Sequence, residues 1–231
     1  MLAINIITIH PSFVSGYASF GVIAAAQRHG SVTFSATNLR NYAVDAHGTV
    51  DGRPFGGGDG MVMRPDSLAA SIQAVNNPYV ILPSPSGRVL SQQDCQRLAK
   101  VEDKTLVFVC GRFSGVDQRF IDRYVDEELS LGDYVISGGE LASLVMIDAI
   151  VRFCPGAMSD EMSPIHDSFG FGCAGLLEHP LYTKPVIFES EEVPSVLRSG
   201  NHLAIETWRK AQSLMRTQKL RPDLFKEDLL G

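Results

Sequence analysis

The sequence predicts an α/β protein in which a mostly parallel β-sheet is covered by helices on both faces. Short apolar segments alternate along the chain with longer segments of helical pattern. The apolar segments are continuous, as in strands that are buried on both faces. Glycine-rich turns follow three of them, at residues 83–87, 111–115 and 138–139. Because ligands of such sheets bind beyond the carboxyl ends of the strands, these turns are candidates for a ligand site.

Five strands are predicted from short runs that are rich in β-branched or aromatic residues. In chain order they are AINIITI (3–9), VTFS (32–35), YVIL (79–82), LVFVC (106–110) and YVIS (134–137). Cys110, which ends the fourth run, is expected to be a small core residue.

Five helices are predicted between and after these strands. In chain order they span residues 19–29, 66–76, 92–101, 117–124 and 140–153. Gly30 is the expected stop signal of the first helix, and Asp66 and Ser91 are the expected caps of the second and third. Residues 38–60 form a long irregular stretch, and a loop of this length in a compact domain is usually functional or disordered.

The end of the chain has a different character. Residues 155–174 lack periodicity and contain Pro, Gly, Ser and Asp, which is typical of a linker. Beyond them we expect a small helical unit, in which an apolar helix face carries Ala204, Trp208, Ala211 and Met215. The predicted organisation is therefore a domain over 1–158, a flexible linker over 159–174 and a small helical domain over 175–231.

Composition excludes several classes of protein. Hydrophobic residues make up 45% and charged residues 20%, which excludes a disordered chain. The N-terminus lacks a basic start, and its apolar run ends at His10, so it does not read as a secretory signal. No apolar stretch is long enough for a membrane span, and a cytoplasmic protein without a membrane partner is expected. The four cysteines form no CxxC pair, so no metal site is predicted.

The charge distribution leaves the partner open. The net charge of −6 argues mildly against nucleic acid. Residues 201–222 nevertheless contain five basic residues and one acidic residue. An ordinary solvated helix face explains this segment as well as a nucleic-acid contact does.

The segment FGGGDG (55–60) is neither a P-loop nor a dinucleotide-binding fingerprint. No Gly-Lys-Ser/Thr follows it, it does not follow a predicted strand, and Met63 stands where a third glycine belongs. On its own it indicates only a tight loop or a close approach of the backbone to another group.

Taken together, eight segments resemble the bacterial tRNA (guanine-N1)-methyltransferase family, the TrmD family, over nearly the whole chain. They occur in the family's order: TVDGRPFGGGDGMVM (49–63), PSPSGRVL (83–90), VCGRFSGVDQR (109–119), GDYVISGGE (132–140), VRFCPG (151–156), HDSF (166–169), HPLYTKP (179–185) and SGNH (199–202). The resemblance implies methylation, by S-adenosylmethionine, of N1 of the guanosine immediately 3′ of a tRNA anticodon.

The resemblance also implies an architecture and partners. The family has the SPOUT fold, an α/β sheet with a deep trefoil knot, which is a rare exception to the usual connection rules. It further implies a homodimer whose active site is shared between subunits, and a small C-terminal helical domain that binds tRNA.

Three loops of this family build the pocket for S-adenosylmethionine. Carried over residue by residue, the implied cofactor-binding residues are Ser84, Pro85, Ser86, Gly87, Gly111, Arg112, Phe113, Gly132, Tyr134, Ile136, Gly138 and Gly139. Glycine suits this role because main-chain groups can contact a ligand closely only where no Cβ intervenes.

The implied chemistry needs a base and a cation. Guanine N1 carries a proton that must leave as the methyl arrives, and negative charge moves toward O6. The resemblance assigns Asp167 as the base and Arg152 as the cation. From the residues alone, a linker acid and a helix-end arginine are the simpler interpretations. The resemblance also suggests substrate contacts, at Arg53, Asp59, Ser199, His202, Arg209, Lys210 and Arg216.

Two departures from the family pattern leave questions open. Ser114 stands where many relatives carry a glutamate that has been linked to magnesium, so magnesium dependence is uncertain. His166 precedes the expected base where many relatives carry Glu, and it either affects the pH profile or is an idle surface residue.

The alternatives to the implied function are another SPOUT RNA methyltransferase, acting on a ribose 2′-oxygen or a different base, and a non-catalytic RNA-binding module.

Overall fold

The core of the protein is a parallel sheet of five strands, in the order β2 (Val32–Asn38), β1 (Leu2–Thr8), β6 (Thr105–Val109), β5 (Pro78–Val89) and β7 (Glu127–Ser130). The computed structural model of the chain describes residues 1–225, and every neighbouring pair in this sheet is parallel. The strands of the described residues are β1 (Leu2–Thr8), β2 (Val32–Asn38), β3 (Asp51–Gly52), β4 (Val62–Met63), β5 (Pro78–Val89), β6 (Thr105–Val109), β7 (Glu127–Ser130), β8 (Ile187–Phe188) and β9 (Glu191–Glu192). Strands β3–β4 and β8–β9 form two short antiparallel pairs. The prediction of a mostly parallel α/β sheet is confirmed.

Helices cover both faces of this sheet. The helices of the described residues are α1 (Pro11–Ala18), α2 (Gly21–His29), α3 (Pro65–Gln73), α4 (Gln92–Leu98), α5 (Gln118–Tyr124), α6 (Gly139–Val151), α7 (Ser163–His166) and α8 (His202–Leu220). One buried cluster joins the sheet to α1, α2, α4 and α6, and a second joins it to α3 and α5. Along β6, Phe108 belongs to the first cluster and Val107 and Val109 to the second, which explains why this strand is apolar throughout.

Two compact units divide the chain. The first comprises Met1–Glu161 and contains the five-stranded sheet, and the second begins at Met162 and contains α7, the β8–β9 pair and α8. Residues 159–174, the predicted linker, include α7 and a 3₁₀ turn at Phe171–Cys173. The predicted flexibility of this segment stays a prediction, and residues 226–231 of the predicted C-terminal domain lie outside the described part of the chain.

The start of the chain contains a helix that the sequence analysis missed. Pro11 directly follows the apolar run that ends at His10, and it occupies the first turn of α1. Proline is favourable there, because the first helical N–H groups have no partner within the helix. The predicted helix 19–29 begins only at Gly21, and Gly30 ends it in the left-handed conformation expected of a C-cap.

The predicted strand at residues 134–137 is wrong. This segment is a loop with Tyr134 and Val135 exposed, and the last strand of the sheet is β7, whose sequence EELS contains two acids. The acids are tolerated because β7 lies at the edge of the sheet, where Glu127 forms ion pairs with Arg88 and Arg97. Apolar patterning therefore favoured the wrong segment.

The helix caps were predicted with mixed success. Ser91 caps α4 in a capping box with Asp94, as predicted. Asp66 is not the cap of α3, because Arg64 occupies that position; the carboxylate instead lies 2.6 Å from the Arg64 guanidinium.

The apolar face of α8 was also predicted imperfectly. Ala204 and Trp208 are half-buried as expected, but Ala211 and Met215 are exposed. The inward positions continue instead through Ser213, whose hydroxyl donates to the Leu177 carbonyl, and the buried Thr217.

None of the helices within residues 1–225 combines the length and the apolar character needed to cross a bilayer.

Candidate active site

A cavity of about 570 Å³ opens at the carboxyl ends of β6 and β7 and along the second half of β5, where residues 83–87, the predicted turn, continue the strand through an irregularity. Its volume is typical of small-molecule sites, and its place in the sheet is where such sites form in parallel α/β proteins. Among the predicted cofactor-binding residues it is lined by Ser84, Pro85, Ser86, Gly111, Arg112, Phe113, Gly132, Tyr134, Ile136, Gly138 and Gly139. Three segments that are distant in sequence thus form the wall of one cavity.

Gly87, the remaining predicted cofactor residue, does not line the cavity. It lies inside β5 at an irregularity, where the register against β7 shifts between Pro83 and Arg88. A Cβ at this position would be 2.5 Å from the main-chain nitrogen of Leu129. Its glycine therefore permits close contact between two strands, a role that the motif alone did not reveal.

The loop after β6 forms the second wall. Phe113 is half exposed and has a φ of 60°, a left-handed conformation that is uncommon for an aromatic residue. The Ser114 main-chain N–H donates to the Met61 carbonyl at 2.8 Å, and its hydroxyl donates to the Asp59 carbonyl at 3.0 Å. These bonds attach the glycine-rich loop 55–60 to the cavity wall.

The third wall is the loop between β7 and α6. Tyr134, Val135 and Ile136 are exposed there and line the cavity, so its rim is apolar. Gly139 starts α6 directly beneath, and a Cβ on it would lie 2.8 Å from both Cys110 Cα and Gly111 N. The absence of a side chain at Gly139 lets α6 begin against the end of β6.

A buried acid beside the cavity was missed by sequence analysis. Glu140 is 2% exposed, its Oε1 accepts the Thr8 hydroxyl at 2.7 Å, and its Oε2 lies 2.8 Å from Arg112 Nε. The sequence does contain a signal for this residue. Glu140 directly follows two glycines and lies in the first turn of an apolar helix, where the helix dipole favours negative charge.

Cys110 is fully buried below this site, which confirms its assignment to the core. Burial raises the pKa of its thiol well above the ordinary value, while the neighbouring Ser143 hydroxyl partly offsets this effect. A fully buried thiol with a raised pKa behaves as a small apolar core residue.

The predicted catalytic residues belong to different units. Arg152 is half-buried and forms the C-cap of α6, where its main-chain N–H donates to the Asp148 carbonyl at 3.3 Å. Asp167 is half-buried in the second unit and follows α7 as its C-cap. Its main-chain N–H donates to the Ser163 carbonyl at 2.9 Å.

The predicted substrate-binding residues are exposed. In the first unit these are Arg53 and Asp59, and in the second unit they are Ser199, His202, Arg209, Lys210 and Arg216.

In the second unit several of these positions have local structural contacts. Asn201 caps α8 by accepting the Ala204 N–H at 3.1 Å, and Ser199 accepts the Asn201 N–H at the same distance. Lys210 pairs with Glu206 at 2.7 Å, which lowers the pKa of that carboxyl. Arg209 and Arg216 remain on the exposed surface of α8.

Within residues 1–225, no group of three or more His, Cys, Asp or Glu side chains is arranged to hold a metal ion. At the position where magnesium dependence was in question, the Ser114 hydroxyl is engaged with the main chain of residue 59.

Comparison with known proteins identifies the family. The model of the family "tRNA (Guanine-1)-methyltransferase TrmD" matches residues 2–227. The chain is 49% identical over 227 residues to the tRNA (guanine-N(1)-)-methyltransferase of Halorhodospira halophila, covering 96% of this chain and 84% of the relative. It is 45% identical to the proteins of the same name from Geobacter sulfurreducens, over 96% of this chain and 90% of the relative, and Thermosipho africanus, over 97% and 90%. The chain therefore belongs to the tRNA (guanine-1)-methyltransferase family.

Proposed function

We propose that this protein methylates N1 of guanosine in tRNA with S-adenosylmethionine as the methyl donor, at the guanosine immediately 3′ of the anticodon. The observation that carries the proposal is that three segments, chosen for their resemblance to the family's cofactor loops, line one cavity at the carboxyl-terminal side of the sheet. Family membership across residues 2–227 supports the reaction.

The residues of the cavity suit an S-adenosyl group. A purine needs apolar surface against its faces and main-chain polar groups at its edges, and the lining combines apolar side chains with glycine-rich backbone. We propose that residues 84–86, 111–113 and 132–139 hold the group. When bound, it supplies a methyl group on a positively charged sulfur.

The protein's own contribution is to remove a proton and to stabilise charge. We propose that the Asp167 carboxylate accepts the proton of guanine N1, so that the nitrogen lone pair becomes available. The Arg152 guanidinium stabilises the negative charge that develops on O6. Arg53, Asp59 and the exposed basic residues of α8 are proposed to contact the tRNA, in which phosphate contacts position the RNA and carry little sequence information.

A homodimer that shares its active sites between subunits is part of the proposal. Phe13 and Tyr17 on α1, and Leu141 and Val145 on α6, are each between 47% and 53% exposed. Each pair is spaced four residues apart on its helix, so that its members lie on one face. The Tyr17 hydroxyl donates to Asp148 at 3.1 Å, which joins the two helices. A mainly apolar face of this kind, with the Asp148 carboxylate bound by the Tyr17 hydroxyl, suits a second copy of the chain.

The finer architectural and cellular features belong to the same proposal. We propose that the C-terminal part of the sheet forms the family's trefoil knot, and that the enzyme acts in the cytoplasm. No metal ligand is assigned, because Ser114 offers a neutral hydroxyl where a carboxylate would be needed.

The proposal is tested with tRNA transcripts that carry guanosine or adenosine 3′ of the anticodon. Labelled methyl transfer, followed by digestion and identification of the nucleoside, should give 1-methylguanosine from the guanosine transcript only. Asp167→Asn keeps the size of the side chain but removes its basicity, and should reduce kcat by roughly 100- to 10,000-fold. Glu191→Ala, a change at an exposed carboxylate of the same unit, is the control that should retain activity.

Other outcomes would contradict the proposal in different ways. A 2′-O-methylated product would identify a ribose methyltransferase of the same fold. Failure to bind S-adenosylmethionine in calorimetry would indicate a non-catalytic RNA-binding module. Near-normal activity of Asp167→Asn would remove the base assignment alone.

A further inference from the structure

The ion pair between Glu140 and Arg112 lies beside the cavity, and of its two members only the arginine lines the cavity. Arg112 lines the cavity, whereas the Glu140 carboxylate lies behind this wall and is 2% exposed. Thr8, at the end of β1, holds the other carboxylate oxygen at 2.7 Å. The carboxylate is thus held by the sheet on one side and faces the arginine on the other.

Arg112 joins two walls of the cavity. Its main chain belongs to the loop after β6, where its N–H donates to the Met63 sulfur at 3.1 Å. Its guanidinium extends to the loop before α6, 3.5 Å from the Ser137 carbonyl. A Cβ at Gly138 would be only 2.4 Å from Arg112 Nε, so the side chain occupies the space that this glycine leaves.

The energetics indicate that this pair has a role other than stabilising the fold. Burial of a carboxylate is unfavourable unless it is paired, and apolar residues of similar volume often replace such pairs without loss of stability. The two closest atoms, Arg112 Nε and Glu140 Oε2, are 2.8 Å apart but lack hydrogen-bond geometry. The pair is therefore a weak means of stabilising the core, but its charges hold the Arg112 side chain across the two loops.

We propose that Glu140 is a positioning residue, which fixes Arg112 and thereby the cavity wall that binds the S-adenosyl group. The inference deepens the proposed function and rests on it. Glu140 itself does not touch the ligand. Its effect is therefore transmitted wholly through Arg112, and this dependence distinguishes it from a charge that acts directly on the cofactor.

The test begins with Glu140→Gln, which preserves shape and removes the charge. Calorimetry should show weaker binding of both S-adenosylmethionine and S-adenosylhomocysteine, by roughly 10- to 100-fold, because Arg112 loses the charge that holds it in the cavity wall. The two ligands differ in the charge on sulfur, and an effect that acts through Arg112 does not depend on that charge. The factor should therefore be the same for both ligands. KM for the methyl donor should rise accordingly, with kcat at saturation and KM for tRNA nearly unchanged.

A double-mutant cycle isolates the route of the effect. If Glu140 acts only through Arg112, then Glu140→Gln combined with Arg112→Met should bind no more weakly than Arg112→Met alone. Additive losses would overturn the proposal, and so would a loss confined to the sulfonium ligand, because either result indicates a direct action of the carboxylate. Wild-type affinity in Glu140→Gln would also overturn it.

Two further variants keep the test decisive. Asp66→Asn is a matched control, because Asp66 is also an acid in a first helical turn that pairs with an arginine, Arg64, away from the cavity; its ligand affinity should equal that of the wild type. If Glu140→Gln unfolds, Thr8→Val serves in its place. It removes one of the two carboxylate contacts and should weaken the binding of both ligands by the same but a smaller factor.

The outcomes separate this inference from the proposed function. If the wild-type protein binds neither ligand, the proposed function fails; if it binds both and Glu140→Gln binds them equally well, only this inference fails.

Discussion

Single residues determine the shape of the cavity most clearly at glycines whose surroundings leave no space for a Cβ atom. Gly139 begins α6 against the main chain of β6, and its missing Cβ would be 2.8 Å from two main-chain atoms. Main-chain atoms at the end of a buried strand have little freedom to move, in contrast to the tip of a flexible side chain. Position 139 therefore requires glycine because a Cβ would collide with the main chain of β6. Its backbone φ is not left-handed, so backbone conformation is not the reason.

Gly139→Ala is predicted to weaken both the fold and ligand binding. Alanine is the better helix former by about 1 kcal/mol, but overpacking of a well-packed site typically destabilises by about 1–3 kcal/mol. The steric effect should win, so that the free energy of unfolding in urea falls by about 1 kcal/mol or more. The affinity for S-adenosylhomocysteine should fall with it, because α6 moves away from the loop after β6.

Gly16→Ala provides the matched control for this prediction. Gly16 lies inside α1, and a Cβ there would meet no atom within 4 Å. Within one subunit only the helix propensity changes, so the unfolding of each subunit should gain about 0.5–1 kcal/mol of stability. A gain of stability in both variants would show that the start of α6 can shift freely, contrary to the steric argument.

At this scale, the sequence predicted the residues that line the cavity better than those that support them. The resemblance named Arg112, which the structure places in the cavity wall, but nothing in the sequence paired it with Glu140. The two residues are brought together by the fold, through the end of β6 and the start of α6. Gly87 shows the converse, since its motif was recognised but its contact with β7 was not.

The elements are tied together at the edge of the sheet by a network of charges. Asp94 in α4 accepts hydrogen bonds from the Arg88 guanidinium of β5 at 2.5 and 2.7 Å, and it closes the capping box with Ser91. Glu127 of β7 pairs with Arg88 and with Arg97 of α4. The network therefore holds β5, α4 and β7 beside the irregularity that shapes the first cavity wall.

Asp94→Asn is predicted to destabilise this edge in a pH-dependent way. Hydrogen bonds from Arg88 and then from Ser91 hold the pKa of Asp94 well below its ordinary value. Since the folded pKa lies below the unfolded value of about 3.9, the stabilisation is present above about pH 4 and is lost as pH falls further. At pH 7 the variant should lose about 1–2 kcal/mol, mainly through the cap, because the arginine is half exposed.

Urea unfolding at pH 7 and pH 3 measures this effect. The difference in free energy of unfolding between wild type and Asp94→Asn should shrink at the lower pH. Asp66→Asn removes an exposed ion pair without a capping box, and should cost about 0.5 kcal/mol or less. A difference that is constant with pH would show that the charge of Asp94 contributes nothing.

Prediction of whole elements succeeded where apolar patterning and burial agree. The strands near residues 3–9, 79–82 and 106–110 are buried on both faces, so their composition alone reveals them. Strand β7 was missed because an edge strand can carry acids, and the apolar loop 134–136 was mistaken for a strand because its side chains line a cavity. Apolar residues placed for binding and apolar residues placed for packing have the same pattern in a sequence.

At the scale of the whole molecule, the class of fold was predictable but the order of strands was not. The strands lie in the order β2-β1-β6-β5-β7, so β1 pairs with a strand that begins about a hundred residues later. Local patterns contain no information about such pairing, and only the family resemblance pointed to the architecture. The net charge of −6 is likewise a poor guide to the proposed tRNA substrate, because a basic segment on α8 coexists with an acidic remainder.

The last prediction concerns the assembly of the molecule. If the apolar face of α1 and α6 binds a second copy, one charge in its centre should separate the subunits, because an unpaired buried carboxylate is strongly unfavourable. Leu141→Glu and Val145→Glu should sediment as monomers at concentrations where the wild type sediments as a dimer, and their methyl transfer should fall because the proposed active site needs both subunits. Val44→Glu, at a residue 57% exposed elsewhere in the same unit, should sediment and react as the wild type does. Wild-type protein that sediments as a monomer would remove the dimer from the proposal, whereas dimeric Leu141→Glu and Val145→Glu would place the interface on another surface.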